Sequence, residues 1–202
     1  MKPFIKLTAV AAPLSMANLD TDKVIPARFL RTPRLPGYDP YLFHDMRFNA
    51  DGSERPEFVL NQPPYRGAGI LIAGANFGCG SSREGAVYAM LDYGILCVIA
   101  PSFGDIHYAN ELQNGMLPVI LPEEICRKLR EQLHEQPGAQ LTVDLESQTV
   151  TGSDGTTYRF EIDPIYRERL LKGFDDVDLV LQYQSEIEGF ERRHYGEMPW
   201  LA

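Results

Sequence analysis

The segment 74–84, with the sequence GANFGCGSSRE, combines residue types that can bind an anion and move a proton. Its two inner glycines allow backbone N–H groups to face outward, its two hydroxyls can donate hydrogen bonds, and its guanidinium fits both oxygens of a carboxylate. The segment follows an apolar run and precedes a helical pattern, and in open α/β sheets such a turn lies at the edge where ligands bind. We therefore predict an anion site formed by the backbone of Gly78 and Gly80 and by the side chains of Ser81, Ser82 and Arg83.

The same residues allow a purely structural interpretation. Ser81 and Glu84 have the S-x-x-E spacing of a capping box, which would use the Ser81 hydroxyl to hold the start of a helix. The spacing matches neither the common nucleotide-binding loops nor the nucleophile elbow of hydrolases. Taken alone, these residues leave capping and anion binding both open.

The elements around this turn alternate between strands and helices, which is typical of a parallel sheet with right-handed crossovers. Apolar runs predict the strands, and glycine or asparagine stops predict where the helices end. The predicted strands cover 4–10, 69–73, 97–100 and 117–121, and the predicted helices cover 82–93 and about 102–114. We expect an α/β fold with a mainly parallel central sheet, in one domain over residues 1–202.

Later in the chain the pattern changes, because an amphipathic stretch is followed by alternating apolar and polar residues. We expect a helix over 123–135, a hairpin within 140–162 that turns at residues 153–155, and a short helix between Asp163 and Gly173. Asp176 opens a last predicted helix, whose inner face should carry Val180, Tyr183, Ile187 and Phe190.

Residues 31–66 are rich in proline and glycine and also in aromatic residues. Disordered linkers are poor in aromatic residues, so this composition indicates a long, ordered loop region with a function.

Charge and cysteine usage exclude several classes of protein. The chain has 19 Lys and Arg against 28 Asp and Glu, a formal net charge of −9, so nucleic acid is not an expected partner. No apolar run approaches the ~20 residues that span a bilayer, so we expect no membrane association. Cys79, Cys97 and Cys126 are widely spaced and match no metal-binding pattern, which indicates reduced thiols in the cytoplasm and no metal on this chain. A loose resemblance of the amino terminus to a signal peptide is better explained by the first strand.

Three motifs together resemble the small subunits of 3-isopropylmalate dehydratase, which form the swivelling domain of the aconitase superfamily. These motifs are NLDTDKVIP at 18–26, NFGCGSSRE at 76–84, and APSFGDIHYAN at 100–110 with QNG at 113–115; segments 43–48 and 157–160 also fit. The resemblance implies a three-layer β/β/α swivelling domain that works only when docked on a large subunit, as a heterodimer or larger assembly. It also implies that no cofactor binds this chain, since the 4Fe–4S cluster belongs to the large subunit. The implied reaction interconverts 2- and 3-isopropylmalate, which are small dicarboxylates, by dehydration and rehydration in leucine biosynthesis.

The family pattern assigns roles to individual residues. Ser81 would be the base that removes and returns the carbon-bound proton, and Ser82 and Arg83 would hold a substrate carboxylate. Asp20 and Asp22 lie in the first motif, and we favour Asp22 as the support for the serine; an Asx turn with a lysine ion pair is the structural alternative. Residues 28–47, which overlap the 31–66 region, correspond to the family's substrate-recognition loop, where Arg31 or Arg34 could bind the second carboxylate.

One departure from the family pattern affects the expected substrate. The family usually has histidine after the S-S-R-E run, and this chain has Gly85. We expect His107 and His44 to be structural or surface groups rather than replacements for it. The departure leaves the reaction class unchanged but keeps open a related hydro-lyase subunit for methylmalate, citraconate or dimethylmalate. A further alternative, which rests on the glycine-rich turn, is a non-catalytic domain that binds small anions.

Overall fold

The computed structural model describes residues 1–35, 37–80 and 83–201. The strands are β1 (Lys6–Leu14), β2 (Ile70–Ala73), β3 (Cys97–Ala100), β4 (Leu117–Ile120), β5 (Gln140–Asp144), β6 (Thr149–Thr151) and β7 (Thr157–Arg159). They form one seven-stranded sheet in the order β4-β3-β2-β1-β5-β6-β7. The expected α/β fold is confirmed.

Strand β1 joins a parallel half of the sheet to an antiparallel half. Its second part pairs in parallel with β2, which continues in parallel through β3 to β4. Its first part pairs antiparallel with β5, and β6 and β7 follow as a meander. Since Leu14 pairs with Ala73 and Ile72 with Ile99, the carboxyl ends of β1, β2 and β3 meet at one edge. The segments that follow these three ends carry the three motifs.

The helices follow the predicted order but differ at several ends. They are α1 (Thr21–Val24), α2 (His44–Arg47), α3 (Glu84–Tyr93), α4 (Asp105–Gln113), α5 (Glu123–Glu135), α6 (Pro164–Lys172), α7 (Asp176–Leu181) and α8 (Gln184–Glu197). Helix α5 has the predicted bounds, and Gly94 ends α3 in the left-handed region as expected. The predicted start of the α4 helix at Ser102 is wrong: the helix begins at Asp105 after Gly104, and the Ser102 hydroxyl accepts a hydrogen bond from the amide of Asn76.

Two apolar cores lie on opposite faces of the parallel strands, because successive strand residues point to opposite sides. Leu71 belongs to the core beneath α3 and the 31–66 region, whereas Ile70 and Ile72 belong to the core beneath α5 and α6.

The 31–66 region is ordered, as its aromatic content predicts. Leu42 and Phe43 are fully buried in the first core. The buried Asn61 side chain donates to the carbonyl oxygens of Arg47, at 2.7 Å, and Arg55, at 2.9 Å. Packing and buried hydrogen bonds therefore fix this region against the sheet.

Two predictions for the carboxyl-terminal part are wrong in detail. The segment 140–162 contains three strands rather than two, because a second turn separates β5 from β6. The last helix is split into α7 and α8, and Val180, Tyr183 and Phe190 are 56–63% exposed instead of facing inward. In the described part of the chain, no single helix is both long enough and apolar enough to cross a membrane.

Candidate active site at the carboxyl edge of the sheet

The loops after β1, β2 and β3 are joined by backbone hydrogen bonds. Gly78 donates to the carbonyl of Leu19 at 2.8 Å, and Thr21 donates to the carbonyl of Cys79 at 3.2 Å. On the other side, Phe77 donates to the carbonyl of Ser102 at 3.0 Å. The glycine-rich turn therefore lies between the first and third motifs, and the three motifs form one continuous edge.

The glycine at position 78 is required by close packing. Its φ is +69°, and a Cβ added there would lie 2.2 Å from the ring of His107. His107 is 1% exposed and its Nε2 lies 3.0 Å from Oε1 of the fully buried Glu111. The position of His107 is compatible with the expected structural role, because its ring lies directly under the turn.

Arg83 and Asp22 are brought together from different motifs. An Arg83 Nη1 forms an ion pair with Oδ1 of Asp22; the arginine side chain is 19% exposed and the aspartate 55%. Arg83 is also the N-cap residue of α3, where the helix dipole disfavours a cation. The carboxylate of Asp22 offsets this cost by pairing with the guanidinium at the start of the helix.

The N-cap residue of α3 is Arg83, whereas the alternative capping box of Ser81 and Glu84 requires the serine at that position. Helix α3 begins at Glu84, and Arg83 is in extended conformation and without a side-chain capping bond. Ser81 and Ser82 lie outside the described residues, so their predicted roles stay predictions.

The two aspartates of the first motif have separate roles. Asp20 is the N-cap of α1: its carboxylate accepts from the Lys23 amide at 2.8 Å and lies 3.8 Å from the Lys23 ammonium. The structural alternative considered for this motif therefore describes Asp20. Asp22 instead pairs with Arg83, and its role as the support for the serine stays a prediction.

A cavity of about 170 Å³ lies beside the turn and is lined by Gly78, Gly80, Gly104, Asp105, Ile106 and His107. Gly80 has a φ of +88° and faces this cavity. The N–H of Gly78 is donated to Leu19 and is not available to an anion. Of the two glycines predicted to bind an anion through the backbone, only Gly80 remains a candidate.

The structure separates the two candidate arginines of the recognition loop. Arg34 is engaged by Asp92 of α3, with Nε at 3.2 Å and Nη2 at 2.8 Å from its carboxylate oxygens. Arg31 is exposed and has no ion-pair partner among the described residues. Asp92 was not singled out by the sequence, since one acidic residue on a helix carries no signal of its partner.

Gly85 fits a close approach of the recognition loop to α3. A Cβ at this position would lie 2.7 Å from Cδ2 of Leu30. The space that a side chain would occupy in the family pattern is therefore partly filled by Leu30.

The cysteines do not fit a metal cluster. Cys97 and Cys126 are fully buried, and burial raises the pKa of the Cys97 thiol well above its ordinary value and that of Cys126 to about 11. Thiolates are the ligands of iron–sulfur clusters, so these thiols are poorly suited. The described ranges contain no group of three or more His, Cys, Asp or Glu residues that could hold a metal ion.

Comparisons with known proteins found matching family models, similar curated proteins and a similar solved structure. The family model described as the aconitase C-terminal domain matches residues 1–124, and the LeuD_N model matches residues 127–164. The chain is 51% identical to the 3-isopropylmalate dehydratase small subunit of Cereibacter sphaeroides strain KD131, over 100% of both chains. It is 53% identical to the protein of the same name from Gluconacetobacter diazotrophicus, over 99% of this chain and 97% of the relative. Among solved structures, 3-isopropylmalate dehydratase (leuD) from Methanocaldococcus jannaschii is similar with a TM-score of 0.65 and 25% identity, covering 93% of this chain and 99% of the other.

Proposed function

This chain belongs to the 3-isopropylmalate dehydratase small-subunit family, and we propose that it forms half of a hydro-lyase active centre that interconverts 2- and 3-isopropylmalate in leucine biosynthesis. The observation that carries the proposal is the Arg83–Asp22 ion pair at an edge built from all three motifs. It places a guanidinium at a helix N-terminus, where a substrate carboxylate is attracted by both.

The residues of the turn divide the chemistry between them. Ser81 takes the proton from the carbon next to the hydroxyl-bearing carbon as the hydroxyl leaves as water. In the rehydration, the Ser81 hydroxyl gives a proton to the carbon that had carried the hydroxyl, while water supplies the new hydroxyl to the neighbouring carbon. Ser82 and Arg83 hold one carboxylate of the substrate and so fix the reacting carbon near the Ser81 hydroxyl. A serine is a weak base unless its oxyanion is stabilised, and Arg83 together with the start of α3 supplies positive potential for this purpose.

Asp22 supports this arrangement indirectly. By pairing with Arg83 it limits the orientations of the guanidinium, and its position in the first turn of α1 fixes the carboxylate in turn. In this proposal, Asp22 orients the Arg83 guanidinium toward the substrate carboxylate and toward Ser81.

The 31–66 region is the proposed substrate-recognition loop region, which reads the alkyl group of the acid. Because Arg34 is engaged by Asp92, we assign the second carboxylate to Arg31 in preference to Arg34. An exposed arginine loses little when it turns toward a ligand, whereas Arg34 would first have to break a two-bond ion pair.

The partner is a large subunit that carries a 4Fe–4S cluster with an open iron. We assign the Lewis acid that assists departure of the hydroxyl to this partner, since the described residues of the present chain contain no group of His, Cys, Asp or Glu that fits a metal. We place the assembly in the cytoplasm, where the free thiols of Cys79, Cys97 and Cys126 would stay reduced.

The proposal is tested by combining the purified chain with a cluster-bearing large subunit. We expect each subunit alone to be inactive and the pair to interconvert the two isopropylmalates. Turnover by this chain alone would contradict the proposal. Turnover confined to methylmalate or dimethylmalate would favour the related hydro-lyase, and binding of dicarboxylates without any turnover by the pair would favour a non-catalytic anion-binding domain.

A further inference from the structure

One face of α3 is covered by the recognition loop. Gly85, Tyr88 and Asp92 have the i, i+3, i+7 spacing that places residues on one side of a helix. Leu30 lies over Gly85 at one end of this face, so close that a Cβ there would be 2.7 Å from Cδ2 of Leu30. The loop therefore approaches α3 near the end from which the glycine-rich turn enters the helix.

The other end of the same face holds the loop through a carboxylate. Asp92 accepts two hydrogen bonds from Arg34, at 2.8 and 3.2 Å, and a third from the backbone amide of Tyr38 at 2.9 Å. The Arg34 guanidinium also lies over the ring of Tyr88, 4.1 Å from its centroid. A single carboxylate thus fixes two points of the loop, one through a side chain and one through the backbone.

Asp92 and Arg34 form an ion pair in which the carboxylate is kept ionised by its hydrogen bonds. Burial of Asp92 opposes ionisation, but the hydrogen bonds from Arg34 and Tyr38 outweigh it, so the pKa of Asp92 is lowered. The arginine side chain is 45% exposed and the aspartate 19%. An ion pair this exposed adds little to folding stability, whereas its two-bond geometry fixes orientation strongly.

We propose that Asp92 and Arg34 are positioning residues that hold the recognition loop along α3 and thereby set the preference among alkylmalates. The inference rests on the proposed function and extends it to substrate selectivity. Helix α3 is the physical link, because Arg83 caps its amino-terminal end and Asp92 lies near its carboxyl-terminal end. The distance between the carboxylate site and the loop is then fixed by a rigid helix.

In this assignment Arg34 affects substrate selectivity through the loop and does not bind the substrate itself. An arginine that binds the substrate carboxylate directly should matter more than the aspartate that holds it. An arginine that acts through the loop should matter as much as its partner, and the two changes should not add.

The experiment compares four variants in the reconstituted complex: Asp92→Asn, Arg34→Gln, the double variant, and Glu54→Gln as the control. Glu54 forms a similar two-bond pair with Arg66, at 2.9 and 2.6 Å, within the same region, and neither partner belongs to α3. The measurements are kcat and KM for isopropylmalate and methylmalate. We expect each of the two single changes to lower the selectivity ratio for isopropylmalate about tenfold through KM, the scale of one lost contact to a charged group. The double variant should be no worse, kcat should stay within about threefold, and Glu54→Gln should leave the ratio unchanged.

Three outcomes would overturn the inference. A loss in Arg34→Gln that greatly exceeds that in Asp92→Asn, with additive effects in the double variant, would make Arg34 a direct substrate ligand. An unchanged ratio in all variants would show that the loop is held by other contacts. A selectivity loss of the same size in Glu54→Gln would show that any loosening of the 31–66 region lowers selectivity, and that Asp92 and Arg34 have no special role.

A second measurement does not depend on activity. Amide hydrogen exchange of the isolated chain should speed up at Tyr38 in Asp92→Ala, which removes the acceptor of its hydrogen bond, and not in Glu54→Gln. If the wild-type complex were inactive with every alkylmalate, the proposed function would fail while this result could still show the loop anchored. If exchange at Tyr38 were unaffected in an active enzyme, the anchoring itself would be wrong and the proposed function would stand.

Discussion

Arg83 and Asp22 form an ion pair between loops that follow two neighbouring parallel strands, β2 and β1. The pair connects the N-cap of α3 with the first turn of α1, so the positive end of one helix is held by an acidic side chain of another. The guanidinium is mostly buried and the aspartate is mostly exposed, so the pair is open to solvent on the side of Asp22.

The geometry of Arg83 leads to a prediction for binding. Arg83→Lys keeps the charge but loses the planar fork that fits a carboxylate. We expect kcat/KM of the complex to fall about 10- to 100-fold, mainly through KM, since contacts to charged groups are worth about 1.5–3 kcal/mol. Arg127→Lys is the control, because Arg127 forms an exposed pair with Glu131 at 2.7 Å on α5. An unchanged KM in Arg83→Lys would show that this side chain does not hold the substrate.

The contact between Gly78 and His107 predicts an unequal cost for two glycine substitutions. Gly52 and Gly78 both have positive φ, but a Cβ at Gly52 meets nothing within 4 Å, whereas one at Gly78 would lie 2.2 Å from the His107 ring. Gly78→Ala should therefore destabilise the chain by about 1–3 kcal/mol more than Gly52→Ala, the usual cost of overpacking. Urea unfolding of both variants measures the difference. Equal costs would mean that the turn does not rest on His107.

The buried Glu111 predicts a dependence of stability on pH. Burial raises the pKa of Glu111 from its ordinary value of 4.5, against the opposing hydrogen bond and charge of His107. The stabilising contribution of a group with a raised pKa is complete below the ordinary value and is lost as pH rises through the folded-state value. The free energy of unfolding of the wild type relative to Glu111→Gln should therefore fall as pH rises above about 4.5.

Denaturant unfolding at a series of pH values checks this prediction, with the exposed Glu57→Gln as the control. The difference between the wild type and Glu57→Gln should show no comparable fall. A difference between the wild type and Glu111→Gln that rises with pH would mean that His107 holds Glu111 ionised.

The parallel half of the fold could be predicted from the sequence because its strands are continuous apolar runs. The strand Cys97–Ala100 and the helix Glu123–Glu135 have the predicted bounds. The start of α4 was wrong, because serine at the right spacing suggests a cap even where its hydroxyl has another partner, as at Ser102. The last helix was also wrong in its burial, since a periodic pattern indicates an apolar face but not what covers it.

The candidate site was predictable in composition but not in its partners. The motifs identified Asp22 and Arg83, whereas their ion pair depends on the approach of two loops. The engagement of Arg34 by Asp92 could not be predicted, because it joins a proline-rich loop to a helix face through contacts that no local pattern encodes. The role of Gly78 became clear only from the position of the His107 ring beneath it.

The proposed reaction depends most directly on the hydroxyl of Ser81. In the reconstituted complex, Ser81→Ala should reduce turnover of isopropylmalate by at least about 1000-fold, as expected when a base essential to the reaction is removed. Size-exclusion chromatography should show that the complex still assembles, and Ser147→Ala, in the turn between β5 and β6, should leave turnover unchanged. A Ser81→Ala complex that assembles and keeps more than about a tenth of the wild-type rate would contradict the proposal that this chain supplies the base.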